Sequence, residues 1–242
     1  MRRGVALFAM ILGILAAPPA YAQPEVGDGC DPGKRSLRDS RLAFAAYAQR
    51  SVRAYSSPGG ELVRTFARIN QNEVRTVFGV LAVKRDRKCQ PAWYQVQLPM
   101  RPNGAVGWVQ ADDVELEPAR TRLEIDVSAR RLRFFRDGRL VLATTAGTGT
   151  QGTPTPTGSY YVNQRFYIPD PSGPFGPGAI GISAFSPVLK DWAQGGPIAI
   201  HGTNDPSTVG RRASHGCIHI RNPLLRRLLW ATDNGSPVHI HA

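Results

Sequence analysis

The chain has 242 residues, 42% of them hydrophobic, enough for one or two domains with a packed core. Lys and Arg number 30 against 18 Asp and Glu, a formal charge of +12 that favours polyanionic surroundings. Beyond the N-terminal segment no stretch reaches the roughly 20 apolar residues of a membrane helix, which excludes a helical transmembrane anchor in the mature chain.

Residues 1–22 read as an export signal. Arg2 and Arg3 form a basic start, Val5 to Ala17 is an apolar run, and Ala20-Tyr21-Ala22 has the small-x-small form of a cleavage site. Cleavage removes two positive charges and leaves +10 (12 − 2). The remaining basic residues are scattered rather than gathered on one helix with aromatic partners, so no nucleic-acid partner is expected. An exported basic chain fits an anionic cell envelope, and the expected location is that envelope or the medium outside it. Residues 23–40, rich in Pro, Gly and charge, read as a linker.

Residues 41–117 show short alternating runs between turn signals. Val52 to Tyr55, Glu73 to Phe78, Trp93 to Leu98 and Ala105 to Val109 are the expected strands, with turns at Ser57-Pro58-Gly59-Gly60 and Arg101-Pro102-Asn103-Gly104. The pair Trp93-Tyr94-x-Val96 and Gly107-Trp108-Val109 resembles the end of bacterial SH3-type domains. That resemblance implies a small β-barrel that binds cell-wall peptides or buttresses a catalytic partner.

Glu117-Pro118-Ala119 marks the expected boundary, and residues 119–242 form a second, mostly β domain. Arg122 to Val127 and Arg131 to Arg136 alternate, Asp137-Gly138 is a hairpin turn, and Leu140 to Ala146 follows as a strand. Gly147 to Gly158 reads as loop, and its Gly-x-Gly is a poor phosphate cradle because prolines stand where a helix would have to start. Ser159 to Ile168 is a strand, Pro169 to Gly181 a loop long enough to wall a cleft, and Pro197 to Ile200 a buried strand. Asn222 to Trp230 carries Leu224, Leu225, Leu228 and Leu229 on one helical face, with Asn222 as cap and Pro223 in the first turn. Val238 to His241 ends the chain as a strand.

Chemistry concentrates in two stretches, Ile200-His201-Gly202-Thr203 and Ser214-His215-Gly216-Cys217-Ile218. Of Cys30, Cys89 and Cys217 an exported chain tends to oxidise two, and three pairings are open. Cys30 with Cys89 is the expected pair, since both precede the C-terminal region, and Cys217 is then the spare thiol. Its ordinary pKa leaves it mostly protonated at neutral pH, and a histidine such as His201 can take the proton. Gly216 permits a sharp turn in which backbone N–H groups converge on a developing oxyanion. A zinc site built from His201, His215, Cys217 and His219 is a rival, although the spacing matches no usual zinc pattern.

These two stretches, with Thr153-Pro154-Thr155-Pro156-Thr157-Gly158, Gly181-Ile182-Ser183-Ala184-Phe185 and Arg221-Asn222, closely resemble the signature of the YkuD family of L,D-transpeptidases. The resemblance covers roughly Arg120 to Ala242 and implies a mixed β-sandwich with one main helix. It makes Cys217 the nucleophile and His201 its base, with backbone at His215, Gly216 and Cys217 as oxyanion site and Ser214 supporting the turn. Gly202, Thr203, His219, Arg221 and Asn222 are the expected substrate-side residues, and no metal or organic cofactor is called for. Many members carry arginine where this chain has His219, and Arg221 is expected to take part of that role. The implied reaction forms 3→3 cross-links between peptidoglycan stem peptides. Trimming of tetrapeptide stems as an L,D-carboxypeptidase, or non-catalytic wall binding, are the alternatives.

Overall fold

Strands make up most of the regular secondary structure in this computed structural model, which describes residues 33–242. The export-signal reading, the linker up to residue 32 and Cys30 lie outside the described residues. All described residues belong to one compact unit.

The first sheet is built from β1 (Lys34–Ser36), β2 (Ala43–Ala48), β3 (Val52–Tyr55), β4 (Leu62–Phe66), β5 (Val77–Arg85), β6 (Pro91–Gln97), β7 (Val106–Gln110) and β8 (Val114–Ala119). Its order is β4-β3-β7-β6-β5-β2-β8, with β1 also on β5. The expected linker is therefore partly strand. β2 pairs only with Val77 to Gly79 of the long β5, and β1 satisfies the remaining edge at Ala82 to Lys84. The strand expected from Glu73 starts only at Val77. Asn70 Oδ1 accepts from the N–H groups of Asn72 and Val74, and Glu73 takes φ 60°, so these residues form a turn. Glu117-Pro118-Ala119 is the end of β8, where an edge position tolerates the missing N–H of Pro118. The chain changes sheets across Arg120.

The second sheet contains β9 (Thr121–Asp126), β10 (Arg131–Arg136) and β11 (Arg139–Thr145), then, after the short β12 (Thr148–Gly149), β13 (Gly158–Tyr167), β14 (Gly178–Phe185) and β15 (Pro197–His201). After β16 (Arg212–Ser214) come β17 (Ile218–His219), helix α1 (Asn222–Ala231) and β18 (Pro237–His241). The order β11-β10-β9-β18-β13-β14-β15-β17 is mixed, since β18 runs parallel to β9 and β17 to β15. β12 and β16 form a separate parallel ladder. The molecule is thus mostly β, with layered sheets and one α-helix among the described residues. β14 corrects the long loop expected to Gly181: the loop ends before Gly178, and the strand is buried from Gly178 to Ala184. Burial on both faces removes the alternation that would have announced it.

Each sheet has its own core. Phe78, Val80, Val96, Leu98 and Val109 centre the first, and Leu123, Ile125, Phe134, Ile180, Ile200 and Ile218 the second. α1 lays Leu225, Leu228 and Leu229 on the second core. Between them Tyr161 of β13 packs with Ala45 and Val77, and its hydroxyl donates to the Val77 carbonyl at 2.9 Å. Its ring occupies the space a Cβ on Gly79 would need, which explains glycine in mid-strand there.

Candidate active site

Two parallel strands bring the cysteine and histidine together. β15 and β17 align Ile200 with Ile218 and His201 with His219, and Cys217 immediately precedes β17. Side chains alternate along extended backbone, so Cys217 and His219 point to the face that carries His201. Cys217 stands two residues before His219, the register partner of His201.

His201 is buried, 5% exposed, with its ring edge-on to Phe175 at 4.7 Å and 4.6 Å from the ring of His219. Nδ1 lies 2.6 Å from the carbonyl of Gly202. A carbonyl only accepts, so this contact puts the proton on Nδ1 and leaves Nε2 with a free lone pair. Burial, and secondarily the neighbouring His219, lower its pKa from 6.5 to about 4, so the ring is neutral at physiological pH. Cys217 is a free thiol. Burial pushes its pKa up, partly offset by a hydrogen bond from the backbone of Ala199.

The turn before Cys217 is held from two directions. Ser214 Oγ donates to the Cys217 carbonyl at 2.6 Å and accepts from the Gly216 N–H at 3.1 Å. Gly216 has φ 116°, and a Cβ there would meet Ile198 Cδ1 at 2.9 Å, so the position requires glycine. From the other side Thr153 Oγ1 donates to the Ser214 carbonyl at 3.0 Å and Thr155 Oγ1 to the Gly216 carbonyl at 2.9 Å. The stretch read as plain loop therefore braces the cysteine turn, and β12 pairs with β16 beside it. Only the Thr-Pro alternation hinted at this role, because proline leaves the hydroxyls rather than the backbone to make the contacts.

The expected oxyanion donors are not equivalent. The Gly216 N–H is used by Ser214, whereas those of His215 and Cys217 have no acceptor among the described residues. The expected substrate-side residues also divide. Thr203 is buried, with its hydroxyl donating to the Asp205 carbonyl and accepting from the Asp205 N–H. Asn222 is the first residue of α1 and not its cap, which is Arg221. Its Oδ1 accepts from the Thr203 N–H at 2.8 Å, and a Cβ on Gly202 would strike it. Gly202, Thr203 and Asn222 thus anchor the chain leaving His201.

His219 lies inside the site, half-buried, with Nδ1 3.0 Å from Thr208 Oγ1. Burial lowers its pKa, Asp205 opposes that, and His215 adds to it. Arg221 is exposed at the foot of α1 and makes no capping bond. His215 is exposed under the ring of Trp192, at 5.2 Å. Trp192 belongs to the segment between β14 and β15, which sequence reasoning left without a role. Arg101, in the first sheet's turn before β7, donates to the carbonyls of both Ser186 and Gly195 at 2.7 Å and so clamps both ends of that segment. Nothing in the sequence announces contacts between residues so far apart. Among the described residues no three His, Cys, Asp or Glu side chains converge as a metal site. Cys89 is disulfide-bonded, and its expected partner Cys30 lies outside the described residues.

A half-buried free thiol just before β17 and a neutral histidine at the end of the neighbouring β15 define a candidate centre for thiol chemistry. The chain belongs to the YkuD family: the family's profile, that of the L,D-transpeptidase catalytic domain, matches residues 120–240. It is an acyltransferase family. Two Bacillus proteins that carry the name L,D-transpeptidase YkuD are similar to this chain over 119 residues, or 49% of its length. The Bacillus licheniformis protein is 34% identical and the Bacillus subtilis protein 30%. The matched region spans 64% and 65% of those relatives. A crystal structure of an Enterococcus faecium L,D-transpeptidase is 24% identical with a TM-score of 0.38, covering 50% of this chain and 49% of that one.

Proposed function

We propose that the protein is a peptidoglycan L,D-transpeptidase that forms 3→3 cross-links through a thioester on Cys217. The observation that supports this reading is the pairing of β15 with β17, which sets the free thiol of Cys217 two residues before the register partner of His201, whose Nδ1 is tied to Gly202. Cys217 attacks the carbonyl of the third, L-configured residue of a tetrapeptide stem as Nε2 takes the thiol proton. The N–H groups of His215 and Cys217 stabilise the oxyanion, and the imidazolium returns its proton to the departing D-alanine amine. The side-chain amine of a neighbouring stem's third residue then attacks the thioester, giving the new amide and restoring the thiol. Ser214 and Gly216 hold the turn, and His219 and Arg221 stand toward the substrate.

Residues 119–242 carry this chemistry. Residues 41–117 act as an SH3-like module, residues 1–22 as export signal, and Cys30 pairs with Cys89. The basic surface keeps the enzyme against an anionic envelope. Incubating the protein with disaccharide-tetrapeptides and reading products by mass spectrometry tests the activity. A cross-linked dimer lacking one D-alanine is expected, and it is absent in Cys217→Ala. A tripeptide alone means carboxypeptidase action instead, and retention on sacculi without new products, unchanged in Cys217→Ala, sinks both enzyme readings.

A further inference from the structure

Two cavities, of about 270 and about 140 Å³, lie along the seam between the sheets and share Asn163 and Gln164 of β13. The larger is lined by six side-chain amides, among them Asn70 and Asn72 from the turn before β5 and Gln194 from the segment before β15. Gln164 Oε1 accepts from Asn72 Nδ2 at 3.1 Å and Asn70 Nδ2 at 3.3 Å, and Gln194 Nε2 donates to Asn72 Oδ1 at 2.7 Å. These bonds fix the orientations of Asn70, Asn72, Gln164 and Gln194.

Three groups are left over. Asn163 Oδ1, Asn234 Oδ1 and Arg75 Nε are buried without a partner, and their residues line the smaller cavity. Among the described residues seven buried side-chain atoms lack a partner, so three of them gathered at one cavity is a concentration. Buried polar groups in native proteins find a partner in protein, water or ligand.

The linings specify the occupant. Neither contains Asp or Glu, whereas Arg64 faces the larger cavity and Arg165 the smaller, where Arg75 is already paired with Glu115 at 3.3 Å. Amides both donate and accept, which suits hydroxyl and acetamido groups, and Phe66, Phe185 and Tyr167 offer apolar ring faces. An amide-rich cleft edged by guanidinium groups fits a polyhydroxylated, acetamido-bearing, neutral-to-anionic chain. We propose that this seam binds the glycan strand, an N-acetylated amino-sugar chain, at a site separate from Cys217. The assignment of that chain to peptidoglycan rests on the proposed function. Gln194 lines the cleft and stands two residues from Trp192, so one segment walls both the cleft and the His215 side of the active site.

The test measures binding by calorimetry to the full chain carrying Cys217→Ala, which removes turnover. The probes are glycan strands freed of stem peptides by amidase, chitotetraose, and free tetrapeptide. Both saccharides are expected to bind. Asn163→Ala weakens them roughly tenfold, the loss of one hydrogen-bonding group, while its melting temperature holds or rises because an unsatisfied acceptor is gone. Arg64→Ala, on the exposed edge strand β4, weakens the lactyl-carboxylate strands several-fold more than chitotetraose. No saccharide binding, equal affinity in all variants, or binding of tetrapeptide alone overturns the proposal. Glycan binding by a protein that forms no cross-link overturns the proposed activity and leaves the cleft standing, and the reverse overturns only the cleft.

Discussion

At the scale of the residue, the candidate site contains a histidine kept neutral by burial. In the unfolded chain His201 titrates near 6.5, and in the folded protein near 4. Between those values the unfolded state binds the extra proton, so this group lowers stability as pH falls from 6.5 to about 4 and has no effect above 6.5. The full shift corresponds to about 3 kcal/mol. His201→Gln should abolish acyl transfer and flatten that part of the stability curve. Thermal unfolding of both proteins between pH 4 and 7.5 checks it, and parallel curves would refute the assignment. Ser214→Ala removes two hydrogen bonds from the cysteine turn and should cost about 1–2 kcal/mol of stability, with a larger fall in activity than in melting temperature. That Cys217 is a free thiol was legible from the odd cysteine count, whereas spacing alone did not single out His201 and only the family resemblance pointed to it. The division of labour among Gly202, Thr203 and Asn222 was not, because a polar side chain's partner is invisible until the backbone is closed around it.

At the scale of the element, alternation revealed the strands with one wet face and hid those without. β9, β10 and the Asp137-Gly138 turn stand where expected, with both turn residues at positive φ as a tight hairpin requires. β2 and β14 were missed, since Ala-rich or Gly-rich strands buried on both faces have neither pattern nor bulk. The segment between β14 and β15 was missed for another reason: its structure is imposed by Arg101, 85 residues from Ser186 and 94 from Gly195. Arg101→Ala should free that segment, release Trp192 from His215 and slow acyl transfer by roughly tenfold, the equivalent of one to two hydrogen bonds. The melting temperature should change little, because the residues released lie outside both cores. Initial rates, together with protease cleavage within residues 187–194, measure the effect. An unchanged rate with enhanced cleavage would show that the loop is held but not needed.

At the scale of the whole molecule, the two sheets are joined by more than Arg120. Tyr161 is fully buried at the seam, Gln97 Nε2 donates to the Ser159 carbonyl at 2.9 Å, and Asn234 Nδ2 donates to Tyr47 Oη at 3.0 Å. Asn103 exchanges two hydrogen bonds with the backbone of Phe185, and Ala45 occupies the space beside Gly235. Sequence suggested two domains, since composition and turn spacing change near residue 119, but a seam made of single residues from distant strands leaves no periodic trace. Such an interface couples the halves thermodynamically, as a core contact does. Calorimetry of the protein should therefore show one unfolding transition in which both sheets melt together. Tyr161→Ala removes the central ring and should destabilise the whole by about 3–5 kcal/mol, the range for deleting a large buried aromatic. If the seam is the coupling element, that variant should also split the transition in two, one for each sheet. A single, merely earlier transition would mean that the remaining polar contacts suffice to couple the sheets, and two transitions in the unaltered protein would mean that the seam never did.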